Sequence, residues 1–491
     1  MNNILRLRSI AKSFNTRQYS AKYILDAENR QLYEDVFPDI CISPPQCIYA
    51  GFDPTADSLH IGNLLVLINL LHWQRCGHQV IILLGGATGL IGDPSFRKTE
   101  RVEIEHLILE ENIEYIRTDI KNIIKNHAKY FCRNHQHLAP IKILNNIEWY
   151  KDMNLLSFIR DIGKYFRMGT MLGRASVRSR LESANGMSFT EFTYPLLQAY
   201  DWLHLYRKYN CLFQVGGQDQ MGNIVSGYDL ITKYTKDQVY GLTLPLVTAQ
   251  GGQKFGKSTG NAVWLSPTKS SSFQLYQYFI RVEDADVEKF LHFFTFLSVH
   301  KIKQIVEEHF KRPELRQAQK ILAEKVTVLV HGEEGLLAAK RASAVLYDKS
   351  IDSLAKMQAN DLVQILDGAT IVELVSEPGI NAYDLAMKAN CFKTDHDARR
   401  IIAAGGFYIN YQKITNSAEL IVPGIHILSN NISLLRVGKK TYHVVRCNRN
   451  FLDIIKNNMF NKKTCLFFVI LRYNNLFDKK IKYTIFSTLL Y

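Results

Sequence analysis

No apolar stretch of this 491-residue chain approaches the roughly 20 residues that a membrane-crossing helix needs, so no membrane partner is expected. Its eight cysteines form no C-x-x-C pair and keep no short, disulfide-like spacing. Reduced thiols in a reducing compartment are expected instead of a disulfide framework. Residues 1–25 contain no acid at all, only Arg6, Arg8, Lys12, Arg17 and Lys22. With Ile4, Leu7, Ile10 and Phe14 at helical spacing, residues 1–22 have the make-up of a mitochondrial presequence, which predicts import into the matrix. From Cys447 onward there is no Ala, Gly, Pro, Glu or Gln. That removes most turn chemistry and leaves the aggregation-prone run "CLFFVIL", so residues 447–491 are expected to stand outside the fold.

The formal charge of +14 is unevenly spread. Residues 447–491 carry eight bases against two acids, and residues 380–446 carry nine against four. Basic character thus lies in the two ends and one small C-terminal module, not in the body of the chain. That body reads as α/β. "CIYAGF" is a strand, "LLVLINLLHW" belongs to a helix from about Gly62 to Cys76, and "HQVIILLGG" is the continuous apolar run of a buried parallel strand. Ligands on such sheets bind at the carboxyl ends of strands, where "YAGFDPTADS" and "GGATGLIGDPS" fall. A second set, "EFTYPLLQAYDWLHLY" and then "CLFQVGGQDQMGNI", repeats the pattern of helix, strand and glycine loop. Beyond about Ser270 glycines thin out and helical periodicity takes over. Residues 380–446 read as a helix capped by Thr394 or Asp395 and ended by Gly405-Gly406, then a strand, turn and strand in "FYINYQKI".

"HIGN" (His60 to Asn63) places a side-chain donor and free backbone N–H groups at a helix N-terminus, a natural phosphate site. "KFGKS" (Lys254 to Ser258) adds two lysines that can stabilise charge developing on a triphosphate. Together they resemble the HIGH and KMSKS signatures of class I aminoacyl-tRNA synthetases. With "YAGFDPTADSLHIGN", "GGATGLIGDPS", "SFTEFTYPLLQAYD" and "VGGQDQMGN", the sequence resembles the bacterial-type tyrosyl-tRNA synthetase family. "DARRIIAAGGFYIN" resembles the S4-like RNA-binding domain of that family. The resemblance spans roughly residues 30–446. It implies a Rossmann-like catalytic domain over 30–270, an all-helical tRNA-binding domain over 271–378 and a small α+β S4-like domain over 380–446.

The resemblance also assigns roles. Tyr49 and Asp201 bracket a phenolic hydroxyl, Asp93, Tyr194 and Gln198 take the ammonium, and Gln214 and Gln220 are further contacts to L-tyrosine. Gly51, Asp53, Gly62, Gly217 and Asp219 face ATP, while Thr55, His60, Asn63, Lys254 and Lys257 face the pyrophosphate. Arg399, Arg400 and Lys413 face tRNA(Tyr). Mg2+ is expected to accompany the phosphates without a dedicated protein cage, and a homodimer is implied. Three positions depart from the family pattern: Asn63 replaces the second signature histidine, Phe96 stands where Gly is common, and Met221 replaces an aromatic residue or leucine. Asn63 keeps a donor of similar reach, so a modest change in nucleotide contacts is expected. Two rival readings are a tryptophan-specific relative and a non-catalytic RNA-binding protein. Tyr49 with Asp201 argues against an indole pocket, and the intact "KFGKS" argues against lost catalysis.

Overall fold

The computed structural model describes residues 30, 32–38, 45–95, 104–132, 138–183, 186–246, 263–366, 369–375, 377, 379–438 and 441–448. The expected presequence, Phe96, Lys254 and Lys257 lie outside the described residues, as does the tail from Arg449. The chain divides into two compact units, Met1–Ala339 and Lys340–Tyr491.

In the first unit, short apolar runs become strands because helices cover both of their faces. β1 (Asp35–Phe37), β2 (Cys47–Phe52), β3 (Gln79–Leu84), β4 (Lys142–Asn145), β5 (Phe213–Gly217) and β6 (Tyr240–Leu244) form one sheet in the order β1-β6-β5-β2-β3-β4. Only the edge strand β1 runs antiparallel to its neighbour. The chain winds outward from β2 to β4 on one side and from β5 to β6 on the other. The topological switch point therefore lies between β2 and β5, where Tyr49 is in register with Gln214. Helix Ile61–Arg75 buries Leu64, Leu70 and Trp73 behind this sheet.

The segment expected to form a helical domain over 271–378 is divided in the structure. Helices Ser272–Ile280, Val287–Phe294 and Val299–Lys311 bury Leu275, Phe279, Phe290, Phe294 and Ile302 in the same core as the sheet residues Ile48, Ile82 and Leu242. Residues 370–375 are not helical but form β7 (Thr370–Val375) of a second sheet. That sheet, wholly in the second unit, also contains β8 (Phe407–Ile409), β9 (Gln412–Ile414), β10 (Ile432–Val437) and β11 (Thr441–Asn448), in the order β7-β11-β10-β8-β9. β7 joins it by parallel pairing to β11. Helices Ala382–Lys388 and Asp395–Ala403 pack Leu385, Ala386 and Ile402 against Phe407, Ile409, Leu435 and Val445. Thr394 caps the second helix, and Gly405 (φ +72°) ends it in the left-handed region.

Cys447 and Asn448, expected to belong to the tail, are the last two residues of β11. Cys447 is buried and Asn448 donates to Glu373 Oε2 at 2.5 Å, so both close β11 instead of opening the tail.

Candidate active site

Residues from four strands line the switch-point crevice. Tyr49 lies within β2, Asp93 follows β3, Asn146 and Trp149 follow β4, and Gln214 lies within β5. Helix Phe189–Tyr209 crosses them, begun by Ser188, whose hydroxyl accepts the Glu191 N–H. It carries Tyr194, Gln198 and Asp201 at i, i+4 and i+7, hence along one face.

Asp201 is buried, and its two oxygens accept from Trp149 Nε1 at 2.9 Å and Asn146 Nδ2 at 3.0 Å. Burial raises its carboxyl to about 7, against the pull of hydrogen bonds from Asn146, Trp149 and Tyr150. Tyr49 is 1 % exposed, and its hydroxyl has no hydrogen-bond partner among the described residues. Its own ionisation is pushed far up by burial and by the Asp201 charge. Gln198 Oε1 and Gln214 Oε1 are likewise buried without partners among the described residues. Buried polar atoms left so cost stability unless something pairs with them. Three of them lining one crevice fit a polar ligand.

Asp201 is also one end of a connected polar chain. Asn146 Nδ2 donates to Thr88 Oγ1 at 3.0 Å, and Thr88 Oγ1 donates to Asp53 Oδ1 at 2.7 Å. Asp53 Oδ2 accepts from the Tyr194 hydroxyl at 2.7 Å. Gly85 makes room for this chain, because a Cβ there would overlap Asp53 Oδ1. Asp93 heads a second cluster. It accepts from Gln220 Nε2 at 2.7 Å, the Ser95 N–H at 3.0 Å and Asn223 Nδ2 at 3.3 Å.

At the opposite end, His60 caps helix Ile61–Arg75. Its Nδ1 accepts the Gly62 N–H at 3.1 Å, while Asn63 Oδ1 accepts the His60 N–H at 3.1 Å. Asn63 thus completes a reciprocal capping box, acting toward the backbone as an acceptor, where the sequence reading had valued it as a donor. A Cβ on Gly62 would come within 2.9 Å of His60 Cε1. The segment resuming at Val263 lies alongside: Leu265 N–H donates to Leu59 O at 2.8 Å and Ser266 N–H to Ser58 Oγ at 2.9 Å. Ser58 Oγ donates in turn to Asp119, whose carboxyl burial pushes up to about 6. Thr55 and Gly51 are exposed at the crevice mouth, and Gly217 and Asp219 are half-buried at the end of β5.

Sequence reasoning missed Asn146, Trp149, Thr88 and Asn223. The signal was present in "ILNNIEWY", a short apolar strand ending in tandem asparagines at the same carboxyl edge as the two glycine loops. In the second unit, Arg399 and Arg400 are exposed and paired with Asp395 at 3.2 Å and Asp397 at 2.9 Å on their own helix. Lys413 lies across Gly405.

A parallel sheet split at a switch point, with a capped helix N-terminus beside it and a buried polar slot, defines an α/β nucleotide-binding protein. The sequence model of the tRNA synthetases class I (W and Y) matches residues 44–348, and the chain belongs to that family. It is 51% identical over 442 residues to the mitochondrial tyrosine–tRNA ligase of Drosophila melanogaster, covering 88% of this chain and 95% of the relative. It is 44% identical to the Homo sapiens mitochondrial tyrosine–tRNA ligase over 85% of this chain and 90% of that one. Among solved structures, a C-terminally truncated Aspergillus nidulans mitochondrial tyrosyl-tRNA synthetase aligns with a TM-score of 0.62 and 32% identity, covering 70% of this chain and 98% of that one.

Proposed function

We propose that this chain activates L-tyrosine with ATP, forming tyrosyl-adenylate and pyrophosphate, and then transfers tyrosine to the 3′ end of tRNA(Tyr) for translation in the mitochondrial matrix. The observation that carries the reading is the buried, unpartnered Tyr49 hydroxyl beside Asp201. A phenol bound there donates a hydrogen bond to Asp201 and accepts one from Tyr49. Phenylalanine leaves the Tyr49 hydroxyl unpaired and brings Asp201 no phenolic donor, and it is rejected for that reason. At the other end Asp93, Tyr194 and Gln198 receive the ammonium, with Gln214 and Gln220 beside the carboxylate.

That carboxylate attacks the α-phosphorus of ATP and pyrophosphate leaves, so no protein nucleophile is needed. Asp53, Gly51, Gly217 and Asp219 hold the nucleoside. Thr55, His60, Asn63 and the helix N-terminus, joined by Lys254 and Lys257, stabilise the departing phosphates. Among the described residues no three His, Cys, Asp or Glu side chains are gathered to hold a metal ion. Mg2+ would accompany the nucleotide phosphates, where it would neutralise charge. The S4-like module grips the tRNA through Arg399, Arg400 and Lys413, and the helical segment adds a further tRNA contact. A homodimer is supported by the apolar side chains Leu155, Leu156, Ile159, Met168, Leu181 and Phe189, all more than half exposed.

The test is tyrosine-dependent ATP–pyrophosphate exchange by protein lacking residues 1–22. Exchange with tyrosine and not with phenylalanine is expected. No exchange above background overturns the enzyme reading, and equal exchange with phenylalanine overturns the assigned pocket.

A further inference from the structure

The second unit's sheet carries a row of side chains of which the reading above uses only Lys413. Register pairs Lys413 on β9 with Tyr408 on β8, Tyr408 with Arg436 on β10, and Arg436 with Tyr442 on β11. Directly paired residues point to the same side of a sheet, so the four form one cross-strand row. Their neighbours Phe407, Ile409 and Leu435 point the other way, into the core beneath the two helices. The row itself is open: Lys413 is exposed, and Tyr408, Arg436 and Tyr442 are half-buried. Arg436 is held over the Tyr408 ring, with its guanidinium carbon 3.9 Å from the ring centre.

A structural role alone does not call for this pattern. A row serving only to shield the sheet needs apolar or β-branched side chains, not alternating cations and phenols. Strands stand about 4.8 Å apart, which sets the two tyrosines roughly 10 Å from each other with a guanidinium between them. Aromatic rings and guanidinium planes are the surfaces on which unpaired bases stack, while lysine and arginine meet the phosphates. The surrounding module, residues 380–446, carries nine bases against four acids, which suits a polyanion.

We propose that the row Lys413, Tyr408, Arg436 and Tyr442 is a stacking platform for unpaired nucleotides of the bound tRNA, separate from the phosphate contacts of Arg399 and Arg400. The inference rests on the tRNA-charging reading and adds a contact that reads bases exposed outside helical stems. Double-stranded RNA, whose bases are already stacked, gains nothing from it.

The test uses the full-length protein with a tyrosine tRNA transcript and, separately, a short oligouridylate, with binding followed over a range of salt concentrations. Tyr408→Leu and Tyr442→Leu keep bulk and strand fit but remove the ring. Each is expected to weaken both RNAs about tenfold while leaving the slope of log affinity against log salt unchanged. Arg436→Gln should weaken binding and lower that slope by about one, and Tyr408→Phe should bind like the parent. Tyrosine-dependent pyrophosphate exchange, which needs no RNA and runs in the first unit, should stay constant in all four variants, and a parent-like melting profile of the second unit reports that each variant is folded. Parent-like RNA binding by both leucine variants overturns the platform, as does a parent that binds neither RNA. A parent without tyrosine-dependent exchange overturns the ligase reading instead, whatever the leucine variants do to RNA binding.

Discussion

Arg180 and Arg400 each meet a carboxylate, at 2.6 Å and 2.9 Å, and share little else. Arg180 and Glu191 are 3 % and 1 % exposed, with a second bond at 3.3 Å and further bonds from Arg180 to Gly186 O. The pair ties helix Ala175–Leu181 to the first turn of the helix that carries Asp201. Arg400 and Asp397 are 64 % and 42 % exposed and lie three residues apart on one helix. At Arg180 charge fixes shape. At Arg400 it is held loosely, and an arginine in water can trade its acid for a phosphate at little cost. Selecting an amino acid and gripping an RNA thus call for opposite treatments of the same ion pair.

The widest test of that contrast removes one acid from each pair. Glu191→Ala strands Arg180 in the interior and should cost about 3–5 kcal/mol in denaturant unfolding, whereas Asp397→Ala should change stability by less than about 1 kcal/mol. Equal losses would erase the distinction. Next in size, Asn146→Ala removes a donor from the Asp201 carboxylate. It should lower kcat/KM for tyrosine by roughly tenfold to a hundredfold, as expected for a lost hydrogen bond to a charged group.

The pH profile sharpens the same point. Burial holds Asp201 at about 7, above the ordinary carboxylate value, so below that pH the free protein carries a proton where the phenol needs an acceptor. KM for tyrosine should therefore rise as pH falls through about 7 and level off above it, and Asp201→Asn should flatten the profile. On the RNA side, Arg399→Ala and Arg400→Ala should each weaken tRNA several-fold and lower the salt slope by about one, with tyrosine KM unchanged. The smallest effect belongs to Asn63→His. Either residue can accept the His60 N–H, so the exchange rate should move by no more than a few-fold, and a change of several orders of magnitude would overturn the modest role given to Asn63.

What could be read in advance follows from distance along the chain. Strands at 47–52 and 79–84 and the helix between them were legible because local periodicity and Gly77 mark them. Tyr194, Gln198 and Asp201 share a helix, so their spacing announced a common face. Asn146 and Trp149 did not announce themselves, because a polar residue's burial is decided by what packs over it, here a helix that starts more than 40 residues later. β7 was lost for a related reason: its partner β11 lies about 70 residues on, and parallel pairing leaves no hairpin signature. Helices after Ser272 were expected, but periodicity does not say which surface an apolar face will cover.

One consequence reaches into the order of assembly. β2 and β5 are registered at Ile48 with Phe213 and Tyr49 with Gln214, and this seam joins two halves of the sheet contributed by remote stretches of chain. The crevice proposed to hold the amino acid has a wall on each side of it, so the crevice exists only after both halves have docked. A ligand bound there acts as a brace between late-meeting parts. Saturating tyrosine should therefore slow amide exchange at β2 and β5 together, including residues that never touch it.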